Sequence, residues 1–193
     1  MAIVEALSEG LRKLTKFERI LAGVLAFTPF LLFWADSGSG RDSISDYFRM
    51  EENQLFYIPL TAAAMLFVVN GIADAKNIYN TSLGVALAGL LLFNHIEFNA
   101  IHNFFAISFF AGSALVIIFF SGVPWRYRAI FVVLIGALIL VWALIDSFTL
   151  FWAESAALFV IAGHFIADSW EGPLLRSYGT QRGSSTSTPQ TST

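Results

Sequence analysis

This chain of 193 residues is 56% hydrophobic and only 13% charged, whereas a soluble domain is about half apolar and about a quarter charged. It has no cysteine, which excludes disulfides, thiolate zinc sites, iron–sulfur clusters and cysteine nucleophiles. The net charge of -3 is ordinary as a total, and its distribution along the chain is what informs.

The first seventeen residues read as an amphipathic helix. Ile3, Leu7, Leu11, Leu14 and Phe17 recur at helical spacing, and Glu5, Glu9, Arg12, Lys13 and Lys16 take the other face. That pattern suits a helix lying on the inner leaflet of a membrane.

Six apolar segments follow: Ile20–Trp34, Leu55–Ala73, Leu83–Asn94, Ile101–Ser121, Ala129–Ile145 and Leu150–Ala167. A bilayer core of ~30 Å takes about 20 helical residues. The third segment reaches that length only by borrowing Thr81, Ser82 and residues as far as Phe98. The polar stretch Asn94–Asn103 separates it from the fourth and predicts a hairpin. Backbone groups in hydrocarbon must be satisfied within each segment, so the spans are helices. The expected fold is an all-α bundle of six transmembrane helices with an interfacial N-terminal helix. Residues 1–17 form that helix, 18–170 the six spans and 171–193 a flexible tail. From Ser177 onward the tail is Ser, Thr, Gly and Gln with one Pro, too polar to fold alone.

Six spans put both termini on one side. That side holds nine basic residues: Arg12, Lys13, Lys16, Arg19, Lys76, Arg126, Arg128, Arg176 and Arg182. The other holds two, Arg41 and Arg49. The positive-inside rule then makes both termini cytoplasmic. The outer side carries Asp36, Asp42, Asp46, Glu51, Glu52, Glu97, Asp146 and Glu154. An acidic outer face disfavours nucleic acid. Trp34, Trp125, Trp152 and Trp170 fall near the expected interfaces. Gly84, Ala88, Gly112, Ser113 and the run Ala62–Ala64 supply small residues for close helix packing.

The polar groups worth attention gather at the outer ends of the spans. His95 ends the third and His102 opens the fourth, so a short turn brings the two imidazoles together. Glu154 lies one turn inside the sixth, with Asp146 ending the fifth. Two histidines and a carboxylate make a set that a divalent metal (zinc, iron or manganese) accepts, which names His95, His102 and Glu154 as candidate metal ligands. The plainer reading has these groups hydrogen-bonding water and lipid at the headgroup boundary. A carboxylate in hydrocarbon needs a partner or a proton, and His102 is the expected partner of Glu154, with Tyr57 and Thr61 as others. His164 and Asp168 form an i, i+4 pair near the inner end of the sixth span. It reads as a structural polar pair bonded to a neighbouring span. No span interior contains a lysine, which excludes a retinal Schiff base, and nucleoside-phosphate and Gly-x-Ser-x-Gly motifs are absent.

The loop after the first span reads Arg41-Asp-Ser-Ile-Ser-Asp-Tyr-Phe. Phe56, Asn70-Gly71, Asn80, Gly84, Phe93, His102 and Phe104-Phe105-Ala106 follow in order. This order resembles bacterial multi-pass membrane proteins of unassigned function with a Ser-Ile-Ser-x-Tyr-Tyr signature, the second Tyr being Phe48 here. It is more distantly similar to the Frag1/DRAM/Sfk1 group. The resemblance covers about residues 41 to 121. It implies a six-span bundle resident in the bacterial cytoplasmic membrane, and no particular reaction. A comparison with alkaline-ceramidase-like hydrolases would cast Ser45, Asp46, His95 and His102 around zinc, but the seventh span and terminal His-x-x-x-His of those enzymes are missing.

The sequence thus favours a non-enzymatic membrane protein, an accessory or scaffold subunit or a lipid-interacting sensor. Its partners would be membrane lipids and a membrane protein or a second copy of itself. The alternatives are a metal-dependent membrane hydrolase with an outer-face His/Glu site and a small proton-coupled carrier using Glu154. The carrier ranks last, because broken and repeated spans are absent.

Overall fold

A computed structural model describes residues 17–38, 40–73, 78–145 and 149–182. The described chain is helical: α1 (Phe17–Ala35), a short 3-10 helix (Ile44–Arg49), α2 (Gln54–Ala73), α3 (Ile78–Leu92), α4 (Asn99–Phe119), α5 (Trp125–Leu144) and α6 (Leu150–Arg182). The N-terminal amphipathic segment, apart from Phe17, lies outside the described residues. So do Lys76, Asp146 and the tail from residue 183. The backbone of α6 is helical as far as Arg182, past the boundary at residue 170 drawn from composition.

Five helices are long and apolar enough to cross a membrane, within α1, α2, α4, α5 and α6. The third expected span differs. Instead of residues 81–98, the helix is the 15-residue α3, about 22 Å at 1.5 Å per residue. Asn94 ends it. The Asn94 side-chain oxygen accepts from the backbone N–H groups of Ile96 and Glu97 at 3.1 and 2.9 Å, which turns the chain.

Although short, α3 still travels the height of the bundle. At one end His95, just after α3, meets Asp46 of the 3-10 helix, and Glu154 of α6 meets Ile44. At the opposite end Glu18 accepts from the Asn70 amide at 3.2 Å, Tyr79 packs on Phe120, and His164 meets Ser121. The six helices therefore alternate in direction. Around the bundle, α1 touches α2 and α6, α3 touches α2 and α4, and α5 touches α4 and α6. The first end is called acidic below and the second basic.

Helix termini are set by local chemistry. After α1, Ser37 adopts a left-handed φ of 57° and Gly38 one of 75°. Ser37 N–H donates to the Trp34 carbonyl and Gly38 N–H to the Phe33 carbonyl. This pair of bonds is a Schellman stop, which satisfies carbonyls that the helix end leaves open.

Phe67 of α2 stands at the centre, with ring centroids 5.8 Å from Phe109 of α4 and 5.3 Å from Phe165 of α6. The backbones of α2 and α3 approach closely at Gly84, where Ala64 is buried against it. Outward faces are also apolar. Phe27, Phe30, Met65, Ile107, Phe119 and Val133 are all more than half exposed. A helix apolar all round is at home in a core or a bilayer rather than in water.

Candidate functional site

The acidic end is organised by Ser43-Ile44-Ser45-Asp46. Ser43 is extended (φ -145°, ψ 164°) and caps the 3-10 helix. Its hydroxyl accepts from Asp46 N–H at 3.2 Å, and the Asp46 carboxylate accepts from Ser43 N–H at 3.1 Å. This reciprocal capping box fixes the segment with two backbone donors satisfied. It turns Tyr47 fully inward against Phe151, 5.5 Å between ring centroids.

Two bonds clamp this segment to the start of α6. Phe151 N–H donates to the Asp42 carbonyl, and Ile44 N–H donates to Glu154 Oε2, both at 2.7 Å. A third fastening comes from Arg41. Its guanidinium grips Asp36 with two bonds, at 2.8 and 3.0 Å, and lies over the Tyr47 ring at 5.5 Å. The Arg41 hydrogen bond holds the Asp36 carboxyl below its ordinary pKa, while burial pushes the Tyr47 phenol up.

The Asp36 shift has a signed consequence. A depressed carboxyl contributes stability that is present above its unfolded pKa, ~3.9, and is lost as pH falls through the lower folded value. Both side chains keep contact with solvent, 28% and 21% exposed, so the contribution is small, under about 1 kcal/mol. Asp36→Asn should lower Tm near neutral pH and reduce its fall below about pH 4. Parallel acid limbs for the two proteins in a thermal-unfolding series would contradict this.

His95 and His102 do come together, with ring centroids 5.7 Å apart. His95 Nε2 stands 3.0 Å from Asp46 Oδ1, and its ring meets Phe48 edge-on. The His95 Nδ1 atom is buried with no hydrogen-bond partner. His102 is buried, and its Nδ1 lies 2.7 Å from the Phe93 carbonyl. A carbonyl only accepts, so this nitrogen carries the proton.

The expected Glu154–His102 pair is not formed: among the described residues no imidazole nitrogen lies within 4.0 Å of the Glu154 carboxylate. The physical reason is prior commitment. The Ile44 amide takes one, and the Phe93 carbonyl takes the other. Nor does α2 offer Tyr57 or Thr61 to Glu154. Thr61 points outward, and Leu60 occupies that position instead. Among the described residues no three His, Asp or Glu side chains form a group that could hold a metal ion. The structure therefore identifies none of His95, His102 and Glu154 as a metal ligand.

Beside Glu154 lies a cavity of about 20 Å³. That is room for about one water molecule. Ser45 and Glu154 supply its polar side chains, and leucine and phenylalanine the rest. Ser45 Oγ is 2.9 Å from Ser43 Oγ, which is 2.9 Å from Asp46 Oδ2.

The basic end is closed by a second polar set. His164 Nε2 lies 2.7 Å from Ser121 Oγ, and Asp168 accepts from Gly122 N–H at 2.7 Å. His164 and Asp168 thus both hold the loop between α4 and α5. Arg128 completes it by donating to the Val123 and Ile118 carbonyls.

Fold and ends together define an all-helical bundle with five helices long and apolar enough to cross a membrane and a hydrogen-bonded closure at each end. Residues 27–169 match the model of a family of unknown function, DUF7103, and the chain belongs to that family. The match takes in the Ser43–Asp46 segment, both histidines of the acidic end and Glu154. No curated protein matches the chain, and no solved structure does.

Proposed function

We propose that this chain is a six-span protein of the bacterial cytoplasmic membrane, with both termini cytoplasmic, that works without catalysis as an accessory or scaffold subunit or a lipid-contacting sensor. One observation carries the reading. The groups a reaction centre would draw on are already bonded to the protein's own backbone, Glu154 to Ile44 N–H and His102 to the Phe93 carbonyl. The hydrolase reading draws no support from this arrangement.

Three further features favour the membrane assignment. The helices alternate in direction, so α3 serves as the sixth crossing, and the short turn at Asn94 lets it do so. The division of Lys and Arg follows the alternation: among the described residues Arg41 and Arg49 stand at the acidic end, and Arg19, Arg126 and Arg128 at the basic end. Apolar side chains cover α5, where Ile130, Val133, Leu140, Trp142 and Leu144 are exposed, as contact with lipid or a partner helix requires.

Cysteines at Glu51 and Ser184 test the topology. An impermeant maleimide added to intact cells should label Glu51→Cys and leave Ser184→Cys unlabelled until the membrane is opened. The reverse pattern would overturn it. Divalent metal tests the absence of a metal-dependent reaction centre. Zinc, manganese or ferrous iron should leave Tm of the purified protein unchanged. A rise abolished by His95→Ala with His102→Ala would restore the hydrolase.

A further inference from the structure

Glu154 lies one turn inside α6, and its surroundings are built unevenly. Across the cavity, α2, α3 and α4 present Leu60, Leu87, Leu90, Phe109 and Phe110, with Leu158 on its own helix. Asp46, on the 3-10 helix, is a charged neighbour. Asp42 contributes only its backbone carbonyl, taken by Phe151 N–H, and Arg41 is engaged by Asp36. Toward the acidic end the surroundings are polar and continuous. Beyond the cavity stand Ser45, Ser43, Asp46 and His95, each within 3.0 Å of the next. The last two keep 23% and 27% of their side-chain surface in contact with the outside.

We infer that Glu154 is a proton-binding site connected to the surface through Ser45, Ser43 and Asp46, and that its charge state sets how firmly residues 42–49 seat on the bundle. The geometry gives the relay a direction. Asp46 Oδ2 accepts from Ser43 Oγ–H, so Ser43 Oγ accepts from Ser45 Oγ–H. The lone pairs of Ser45 Oγ are then left for a donor in the cavity. A proton leaving Glu154 passes to the cavity water, whose own proton goes to Ser45. Each hydroxyl takes one proton and releases its own, and Asp46 receives the last and exchanges it with solvent. The oxygens end as they began after the hydroxyls turn, and only one proton has moved. The reverse path loads Glu154.

The consequence for the 3-10 helix follows from the same bond. Ile44 N–H donates to a carboxylate oxygen when Glu154 is ionised, and such a charge-assisted bond is about twice as strong as a neutral one. Protonation weakens that bond while the Phe151 N–H bond to Asp42 stays. The segment then loosens at Ile44 without leaving the bundle. This deepens the sensor reading and rests on it for purpose only. Failure of the cysteine-labelling pattern would overturn the topology and leave the carboxyl chemistry to be decided by its own measurement.

That measurement is infrared spectroscopy of the full-length protein in lipid nanodiscs. The carbonyl stretch of a protonated carboxylic acid should appear as pH is lowered, and Glu154→Gln should remove it. In heavy water the exchange shift of this band should slow about tenfold in Ser45→Ala, the effect of raising a barrier by one lost hydrogen bond. Ser45→Thr, which keeps the hydroxyl, should restore the rate. Should Ser45→Ala fail to fold, Ser45→Cys replaces it, because a thiol is a weak donor. Equal exchange rates in wild type and Ser45→Ala (or Ser45→Cys) overturn the relay. A spectrum from which Glu154→Gln removes no carbonyl band, at any pH where the protein is folded, overturns the proton site.

Discussion

Gly84→Ala should destabilise the bundle by about 1–3 kcal/mol, the cost of overpacking a close-packed interface. A methyl at this position would stand 2.7 Å from the Ala64 carbonyl oxygen and 2.9 Å from the Val68 backbone nitrogen. Both atoms belong to the backbone of α2, so no rotamer change relieves the clash, and α2 and α3 must part. The comparison with other glycines makes the test discriminating. At Gly89 the added methyl meets the Phe105 ring. That ring can turn aside only by leaving its stack on Phe93, where the planes are 5° from parallel at 5.7 Å. Gly89→Ala should therefore cost less than Gly84→Ala but more than nothing. At Gly136, on the exposed side of α5, nothing lies within 4 Å. There Gly136→Ala should be neutral or stabilise by up to about 1 kcal/mol through helix propensity. Unfolding of the three variants in mixed detergent micelles gives the order. A Gly84→Ala protein as stable as Gly136→Ala would mean that α2 and α3 do not touch at this point.

Gly84 was legible as a packing residue because a small side chain in an apolar run has few other reasons to be there. Gly89 was not, since nothing in the run Leu83–Leu92 says that the Phe105 ring crosses at that point. The five long helices were legible for a simple reason: length and apolarity are properties of a segment by itself. The length of α3 was not, because it is decided by the Asn94 side chain taking two backbone donors of the next turn. At the acidic end, the parity of the spans sufficed to place His95, His102 and Glu154 at one end. It did not suffice to pair them. Reading side-chain types matches acids with imidazoles, yet the partners chosen are the Ile44 amide and the Phe93 carbonyl, which carry no sequence signature. The same holds at the basic end, where Asp168 takes the amide of Gly122. One signal was available: Ser-x-x-Asp at Ser43–Asp46 is a capping box pattern, and it predicts a helical turn in the loop after the first span.

Glu154→Leu should cost about 1–3 kcal/mol, because it removes the acceptor of the buried Ile44 N–H and leaves that donor unpaired. Glu154→Gln keeps a side-chain oxygen within reach and should cost less, about 1 kcal/mol, the difference between a charged and a neutral acceptor. The loss should be local before it is global. Hydrogen exchange at the Ile44 amide should accelerate in Glu154→Leu, while amides in the middle of α2 and α4 stay protected, because the Phe151–Asp42 bond and the buried Tyr47 still hold the segment. His102→Leu strands a different group, the Phe93 carbonyl, in the turn between α3 and α4. The two changes share no partner, so their costs should add to within about 0.5 kcal/mol in the double variant. Coupling of about 1 kcal/mol or more would place Glu154 and His102 in one network and so argue for a direct contact that this geometry lacks. Additivity together with faster exchange at Ile44 would tie Glu154 to the backbone of the Ser43–Asp46 segment. The carboxylate would then act as the fastening of that segment, and the strength of the fastening would follow its charge.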